Sequence, residues 1–385
     1  MRRVLIYDWQ SQCQRDIWES MQKQQDVYAE IFRHPLKNYT EDEEFQEALS
    51  RHIREKKIEY VFSFNFFPVI SRTCHRENVL YLSWVYDCPH TPLYSKTMFY
   101  DSNRVFTFDR AQMEDLRERG NPYIYHLPLA VNSDRLNKLM KNRGRDNYPY
   151  KNHITFVGSI YENNYFEQIA YLPPGLKGYL QGICEAQLRL YGVDLIEKML
   201  NEKVMEQVEK YVTLALESEY EVFHRELFAE IFLKKYVSSL ERKHILEALS
   251  EMFPTVLYSK STWNCPGLER RGEVAYENQM PLVFAGSGLN LNLSIRSIRT
   301  GIPLRCMDIM GVGGALISNV QAELMENFKP EKEWISFSCT EELLEKTAFY
   351  LENQEERQKI ALAGRKKVQA EFDYQVALQK IWNMV

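Results

Sequence analysis

At 385 residues, 45% hydrophobic and 26% charged, with only 16 Gly and 14 Pro, the chain has room for two globular domains and is neither disordered nor fibrous. A net charge of -5 excludes a general nucleic-acid binder, whose phosphate contacts need a basic surface. No apolar run approaches the roughly 20 residues that span a bilayer, and the run after Met1-Arg-Arg is too short for a secretory leader. Cys13, Cys74, Cys88, Cys184, Cys265, Cys306 and Cys339 are odd in number and scattered, without CxxC or Cys/His metal spacing. They predict reduced thiols in a cytoplasmic protein.

Val4–Tyr7 is a short apolar run suited to a buried parallel strand. Thr40 and Glu43 form a capping box that opens a helix with Phe45, Ala48, Leu49 and Ile53 on one face. Tyr60–Phe64, Val79–Trp84, Arg104–Phe108 and Tyr123–Leu127 read as further strands, giving a parallel, doubly wound sheet whose ligands sit beyond the carboxyl ends of its strands. At one such end stand Asp87 and His90, held out of a helix by Pro89 and Pro92. Either is placed to act as a general base toward a hydroxyl; equally, Asp87 caps a turn and His90 lies on the surface. Asp109 reads as a helix N-cap. His126, at a strand end beside a connector, is a packed histidine or a third candidate. The polar, basic Ser133–Lys151 reads as the interdomain connection.

His153–Val157 restarts the pattern and runs into Gly158-Ser159-Ile-Tyr161, where bare glycine backbone lets a ligand approach. From about Glu162 to Met252 strand signal vanishes and Leu, Glu, Lys and Tyr recur at helical spacing, predicting a helical insertion. Thr255–Tyr258 is a strand. Leu289–Ile295 alternates strictly, as a strand with one wet face carrying Asn290, Asn292 and Ser294 does. Arg296, Arg299 and Arg305 follow. Pro303 opens a helix to about Met310, with Arg305 near its N-terminus and Asp308 one turn on. Gly311, Gly313 and Gly314 end it before a buried strand, Ala315–Ser318. A helix N-terminus with arginines and glycines suits a diphosphate, and the carboxylate suits a ribose diol. Trp334–Phe337 is the last strand, Thr340 caps the next helix, and the C-terminus from Gln354 is amphipathic and helical.

These segments resemble the spore-maturation (CgeB-type) glycosyltransferase-like family of bacteria. The resemblance rests on Trp84-Val-Tyr-Asp87-Cys-Pro89, Phe106-Thr-Phe-Asp109, Tyr125-His-Leu-Pro-Leu-Ala130 and Thr155-Phe-Val-Gly-Ser159 in the first half and at the junction. In the second half it rests on Leu291-Asn-Leu, Gly301-Ile-Pro-Leu-Arg305, Asp308, Gly313-Gly314 and the segment ending at Arg357. It implies the GT-B architecture: two doubly wound Rossmann-like domains, residues 1–150 on the acceptor side and 151–385 on the nucleotide-sugar side. A helical insertion sits in the second, and a C-terminal helix packs back toward the first. It further implies a glycosyltransferase using a nucleotide-sugar as substrate, with a glycan or protein acceptor and neither cofactor nor metal. Gly158, Ser159, Tyr161, Asn292, Arg296, Arg299, Arg305, Asp308, Gly313 and Gly314 would surround the donor; Asp87, His90 and His126 would serve the acceptor. Related enzymes carry glutamate where Asp308 stands, one methylene longer. The alternative is a non-catalytic GT-B-like structural or binding protein of a spore or surface layer.

Overall fold

The computed structural model describes residues 1–143, 151–169, 171–214, 219–220 and 223–385. Two compact units emerge, each built on a six-stranded, wholly parallel sheet. The first has strands β1 (Arg2–Tyr7), β2 (Val27–Phe32), β3 (Tyr60–Phe64), β4 (Leu80–Val85), β5 (Asn103–Thr107) and β6 (Ile124–His126), in the order β2-β1-β3-β4-β5-β6. Val4 to Tyr7 are all buried, as a strand covered on both faces requires. Leu5, Phe45, Leu49, Val61, Phe66 and Ile70 fill the core beneath helices Glu43–Lys56 and Pro68–Glu77. The chain end completes this unit. Val131 and Phe372–Tyr374 exchange backbone hydrogen bonds of 3.0 and 3.1 Å, and helix Tyr374–Trp382 packs on helix Gln14–Gln22. The Tyr374 hydroxyl lies 3.0 Å from that of Tyr86.

The second sheet contains β7 (Ile154–Val157), β8 (Thr255–Tyr258), β9 (Leu268–Arg271), β10 (Leu289–Asn292), β11 (Leu316–Asn319) and β12 (Ile335–Phe337), in the order β12-β11-β10-β7-β8-β9. Between β7 and β8 lies the insertion, from helix Tyr165–Gln168 to helix Lys235–Met252. It buries a core of its own, including Phe166, Leu180, Ile196, Val208, Phe228 and Leu233, and so is a folded body rather than a long loop. Among the described residues no helix is long and apolar enough to cross a membrane.

Several sequence expectations are corrected. Helix Glu43–Lys56 is capped by Asp42, whose carboxylate accepts from the Phe45 N–H at 3.1 Å; Thr40 instead lies buried with its Oγ1 3.2 Å from the Tyr220 hydroxyl. Cys339, not Thr340, occupies the N-cap of helix Thr340–Glu352. Ser133–Arg143 of the expected connector is a helix belonging to the second unit, and residues 144–150 lie outside the described residues. The last fourteen residues, Phe372–Val385, belong to the first unit rather than the second. β2 and β9 are strands that sequence reading passed over, both at sheet edges. β10 has no wet face: all four of its residues are buried. The amide N–H groups of its asparagines are satisfied internally, Asn290 Nδ2 donating to the Phe284 carbonyl at 2.9 Å and Asn292 Nδ2 to Ser318 Oγ at 2.9 Å, while Asn290 Oδ1 is buried without a hydrogen-bond partner among the described residues.

Removal of the true cap separates the two readings. Asp42→Ala is expected to lower the stability of the first unit by about 1 kcal/mol in urea unfolding, and Thr340→Ala to change stability by less than about 0.5 kcal/mol.

Candidate active site

In the second sheet the strand order reverses between β7 and β10, the place where a parallel sheet opens a crevice at its carboxyl ends. Gly158 follows β7, its N–H donating to the Tyr258 carbonyl at 3.0 Å. A Cβ at Gly158 would stand 2.6 Å from Nη2 of Arg305, so a side chain there would displace that guanidinium from its place against the backbone. Arg305 is the second residue of helix Leu304–Val312, where the helix dipole favours an anion. Its Nη1 donates to Asn292 Oδ1 at 2.9 Å, and its Cζ lies 5.1 Å from the Phe156 ring centroid. Arg242, 2% exposed on helix Lys235–Met252, comes to the same ring from the insertion, 5.4 Å from the Phe156 centroid and 4.4 Å from that of Tyr161. It donates to the carbonyls of Ser159 (2.6 Å) and Leu293 (2.7 Å).

Two guanidinium groups thus share Phe156, and their hydrogen bonds go to uncharged oxygens. Among the described residues neither has a carboxylate ion-pair partner. Burial first, and repulsion from Arg242 second, pull the Arg305 guanidinium down to about 10, which leaves it charged at neutral pH. With Arg242 buried and Arg305 half-buried, and with Asp308 one turn away offsetting part of their charge, this crowding is costly, and an anion between the two would relieve it.

Of the residues expected around a donor, Gly158, Ser159, Tyr161, Asn292 and Arg305 come together here. Ser159 Oγ accepts from the Tyr161 N–H at 3.0 Å, with Tyr161 in the left-handed region at φ 54°. Asp308 lies one turn along from Arg305, 4% exposed, accepting from the Tyr276 hydroxyl at 3.2 Å. Arg299 sits half-buried at the bend beyond β10. Arg296 is committed elsewhere: it pairs with buried Glu241 at 2.8 Å, donates to the Leu190 carbonyl at 2.7 Å and stacks on Tyr191. It anchors the insertion instead of facing the crevice. Gly313 and Gly314 are also displaced, to the other end of the helix, about 13 Å from its start for nine residues. Gly313 is its left-handed cap at φ 79°, and a Cβ on Gly314 would strike the Phe284 carbonyl at 2.6 Å. Their roles are helix termination and close packing. Arg242 escaped sequence reading, although a charge on the buried stripe Ser238-Arg242-Ile245-Leu249 was a usable signal.

The first sheet reverses between β1 and β3, and a cleft of about 510 Å³ opens there. Trp9 follows β1, Asn65 and Phe67 follow β3, and Asp87 and His90 follow β4. Asn65, left-handed at φ 62°, organises the floor: its Oδ1 accepts from the N–H groups of Tyr86 (2.9 Å) and Asp87 (3.1 Å), and its Nδ2 donates to Asp87 Oδ2 at 2.7 Å. Asp87 is otherwise exposed. His90 is buried; its Nε2 accepts from the Phe66 N–H at 3.1 Å, and burial pushes its pKa below the ordinary histidine value. A neutral imidazole holding that turn is the result, a correction to its reading as a surface residue. His126 is not brought to the cleft: it lies on β6, two strands and about 10 Å beyond β4.

Residues 241–383 match the family model described as "Glycosyl transferase-like", a segment that includes both Arg242 and Arg305. The chain carries a glycosyl transferase-like domain. That domain places it in the glycosyltransferase class. Among solved structures, all of the chain aligns with 97% of a glycosyltransferase from Rickettsia africae at 12% identity and a TM-score of 0.51. It aligns likewise with 99% of Anabaena HepE, solved with UDP-glucose, at 12% identity and 0.51. Sucrose-phosphate synthase from Thermosynechococcus elongatus aligns over 98% of its length at 10% identity and 0.52. These likenesses establish the GT-B fold. No curated protein matches the sequence.

The two arginine environments predict opposite phenotypes. Arg296→Met strands the buried Glu241 carboxylate and should cost about 3–5 kcal/mol of stability. Arg305→Met loses one hydrogen bond while relieving the crowded charge, and should cost about 1 kcal/mol or less. Thermal melts of the ligand-free variants read the difference.

Proposed function

We propose that this protein is a bacterial, cytoplasmic glycosyltransferase of the CgeB type. It transfers a sugar from a nucleoside-diphosphate sugar to a hydroxyl of a glycan or protein acceptor, without a metal. One observation carries the reading: two guanidinium groups without carboxylate partners stand at the switch point of the second sheet, within the glycosyl transferase-like segment. Positive charge supplied by side chains is the basis for dispensing with a metal. The diphosphate sits against Arg305 and Arg242, beside the bare backbone of Gly158, and Asp308 takes the ribose diol. Support for this donor class comes also from HepE, a protein of the same fold solved with UDP-glucose. The seven cysteines are scattered, odd in number and without metal-binding spacing, which suits a reducing compartment.

In the transfer, the acceptor oxygen forms its bond to the anomeric carbon as the bond from that carbon to the β-phosphate oxygen breaks. The bonding pair leaves with the nucleoside diphosphate, and the arginines stabilise the charge that develops there. The acceptor's proton passes to the Asp87 carboxylate in an inverting reaction; in a retaining one it passes to the departing phosphate oxygen while Asp87 orients the acceptor. His90 acts through the turn it holds, as a positioning residue.

The test is nucleotide release from UDP-, GDP- and dTDP-sugars, with wild type and Asp87→Asn. Turnover with one donor, reduced about 100-fold or more by Asp87→Asn at an unchanged donor KM, is the expected result for a general base. Turnover insensitive to Asp87→Asn removes the base from the mechanism. No turnover with any donor favours the non-catalytic binding protein.

A further inference from the structure

We infer that the cleft of the first unit is a subsite for a neutral saccharide, so that the acceptor is a glycan rather than a polypeptide; this deepens the transferase reading and rests on it. The argument starts from Tyr39. This ring is 52% exposed, yet it does not swing freely: it stacks on Phe67 at 5.4 Å between centroids and 8° between planes. Its carbonyl accepts from the Val69 N–H at 3.0 Å, which fixes the backbone beneath it. One face is covered by Phe67, and the exposed remainder is a flat apolar platform. Trp9 stands at 6.1 Å from Phe67, its Nε1 committed to the Phe64 carbonyl at 2.8 Å, and lines the same cleft. Rigid aromatic rings of this kind suit the C–H faces of pyranose rings, and fixing them beforehand lowers the entropy cost of binding.

The polar groups fit the same ligand. Lys37 is engaged by Glu44 at 2.5 Å, and the remaining ionised group among the lining residues is Asp87. Apart from that pair, the described residues of the cleft offer aromatic faces and one carboxylate, a poor match for a phosphate or an acidic chain and a good one for neutral hydroxyls. An acceptor hydroxyl within reach of Asp87 is also what the proposed transfer requires.

A second element points to selectivity. Glu219 and Tyr220 come from the insertion's stretch of sequence but are fastened onto the first unit. The Glu219 carboxylate accepts from Ser95 Oγ at 2.7 Å and from Arg72 Nη2 at 3.2 Å, its carbonyl accepts from the Lys96 N–H at 3.0 Å, and Tyr220 forms an antiparallel bridge with Ser95. These contacts hold Tyr220 in the cleft wall, its hydroxyl 3.2 Å from Thr40 Oγ1. Tyr220 is thereby a specificity-determining residue, which sets the shape of the saccharide that fits over Tyr39.

Saturation-transfer NMR on the nucleotide-free protein tests this with maltotriose, cellotriose and chitotriose, and with a serine/threonine-rich peptide as the competing class. The expected result is saturable transfer to the ring C–H protons of at least one trisaccharide. Tyr39→Ala should weaken it about tenfold and Tyr39→Phe should retain it, while Tyr220→Ala changes the order of preference among the three. Because Tyr39 is exposed, its variants are expected to melt like wild type. No binding of any trisaccharide, binding indifferent to Tyr39→Ala, or binding of the peptide alone overturns the proposal. Nucleoside-diphosphate affinity measured on the same samples keeps the two readings apart: its retention with saccharide binding absent overturns only the acceptor class, and its absence with saccharide binding present overturns only the donor reading.

Discussion

Two arginines on one aromatic ring, neither ion-paired with a carboxylate among the described residues, form the constraint around which the second unit is arranged. A folded chain does not hold a buried arginine, Arg242, beside a half-buried one, Arg305, for stability, because each pays desolvation and each repels the other. Phe156, Asn292 and the carbonyls of Ser159 and Leu293 offset part of that cost through the ring quadrupole and neutral hydrogen bonds. What they leave is a positive crevice at the carboxyl end of β7 and β10. Arg296, a few residues away in sequence, offers a contrast: its guanidinium is ion-paired with Glu241 at 2.8 Å.

Topology makes this placement possible. Both sheets reverse their strand order beside their first strand, and at both reversals the following loops part. In the second unit the opening receives a helix N-terminus and Arg242; in the first it receives Trp9, Asn65 and Asp87. The insertion, which might be taken for an appendage, supplies a side chain to each: Arg242 to the crevice and Tyr220 to the cleft.

Much of the framework was legible in the sequence, because continuous apolar runs such as Val4–Tyr7 and the Pro303 helix start obey local rules. β2 was not, since as an edge strand it exposes Tyr28 and mixes Glu30 into its alternation. β10 misled in the opposite sense. Its asparagines mimic a wet face, but their amide N–H groups find partners at Phe284 and Ser318 in the interior. At the site, Gly158 and Arg305 were readable as types, whereas their 2.6 Å complementarity depends on a fold that joins positions far apart in sequence. Arg242 and Arg296 exchanged roles for the same reason: nothing local distinguishes an arginine with a glutamate waiting for it from one without. Gly313 and Gly314 looked like phosphate-loop glycines and are helix-end glycines, a distinction that depends on which end of the helix meets the carboxyl edge of the sheet.

The most direct measurement is calorimetric titration of the wild-type protein, Arg305→Met and Arg242→Met with UDP, GDP and dTDP. The account predicts saturable binding of one nucleotide by the wild type and at least about a hundredfold weaker binding by either variant, as expected when one of two charge-assisted contacts to a desolvated anion is removed. Equal affinity in the variants, or no binding of any of the three by the wild type, would contradict it.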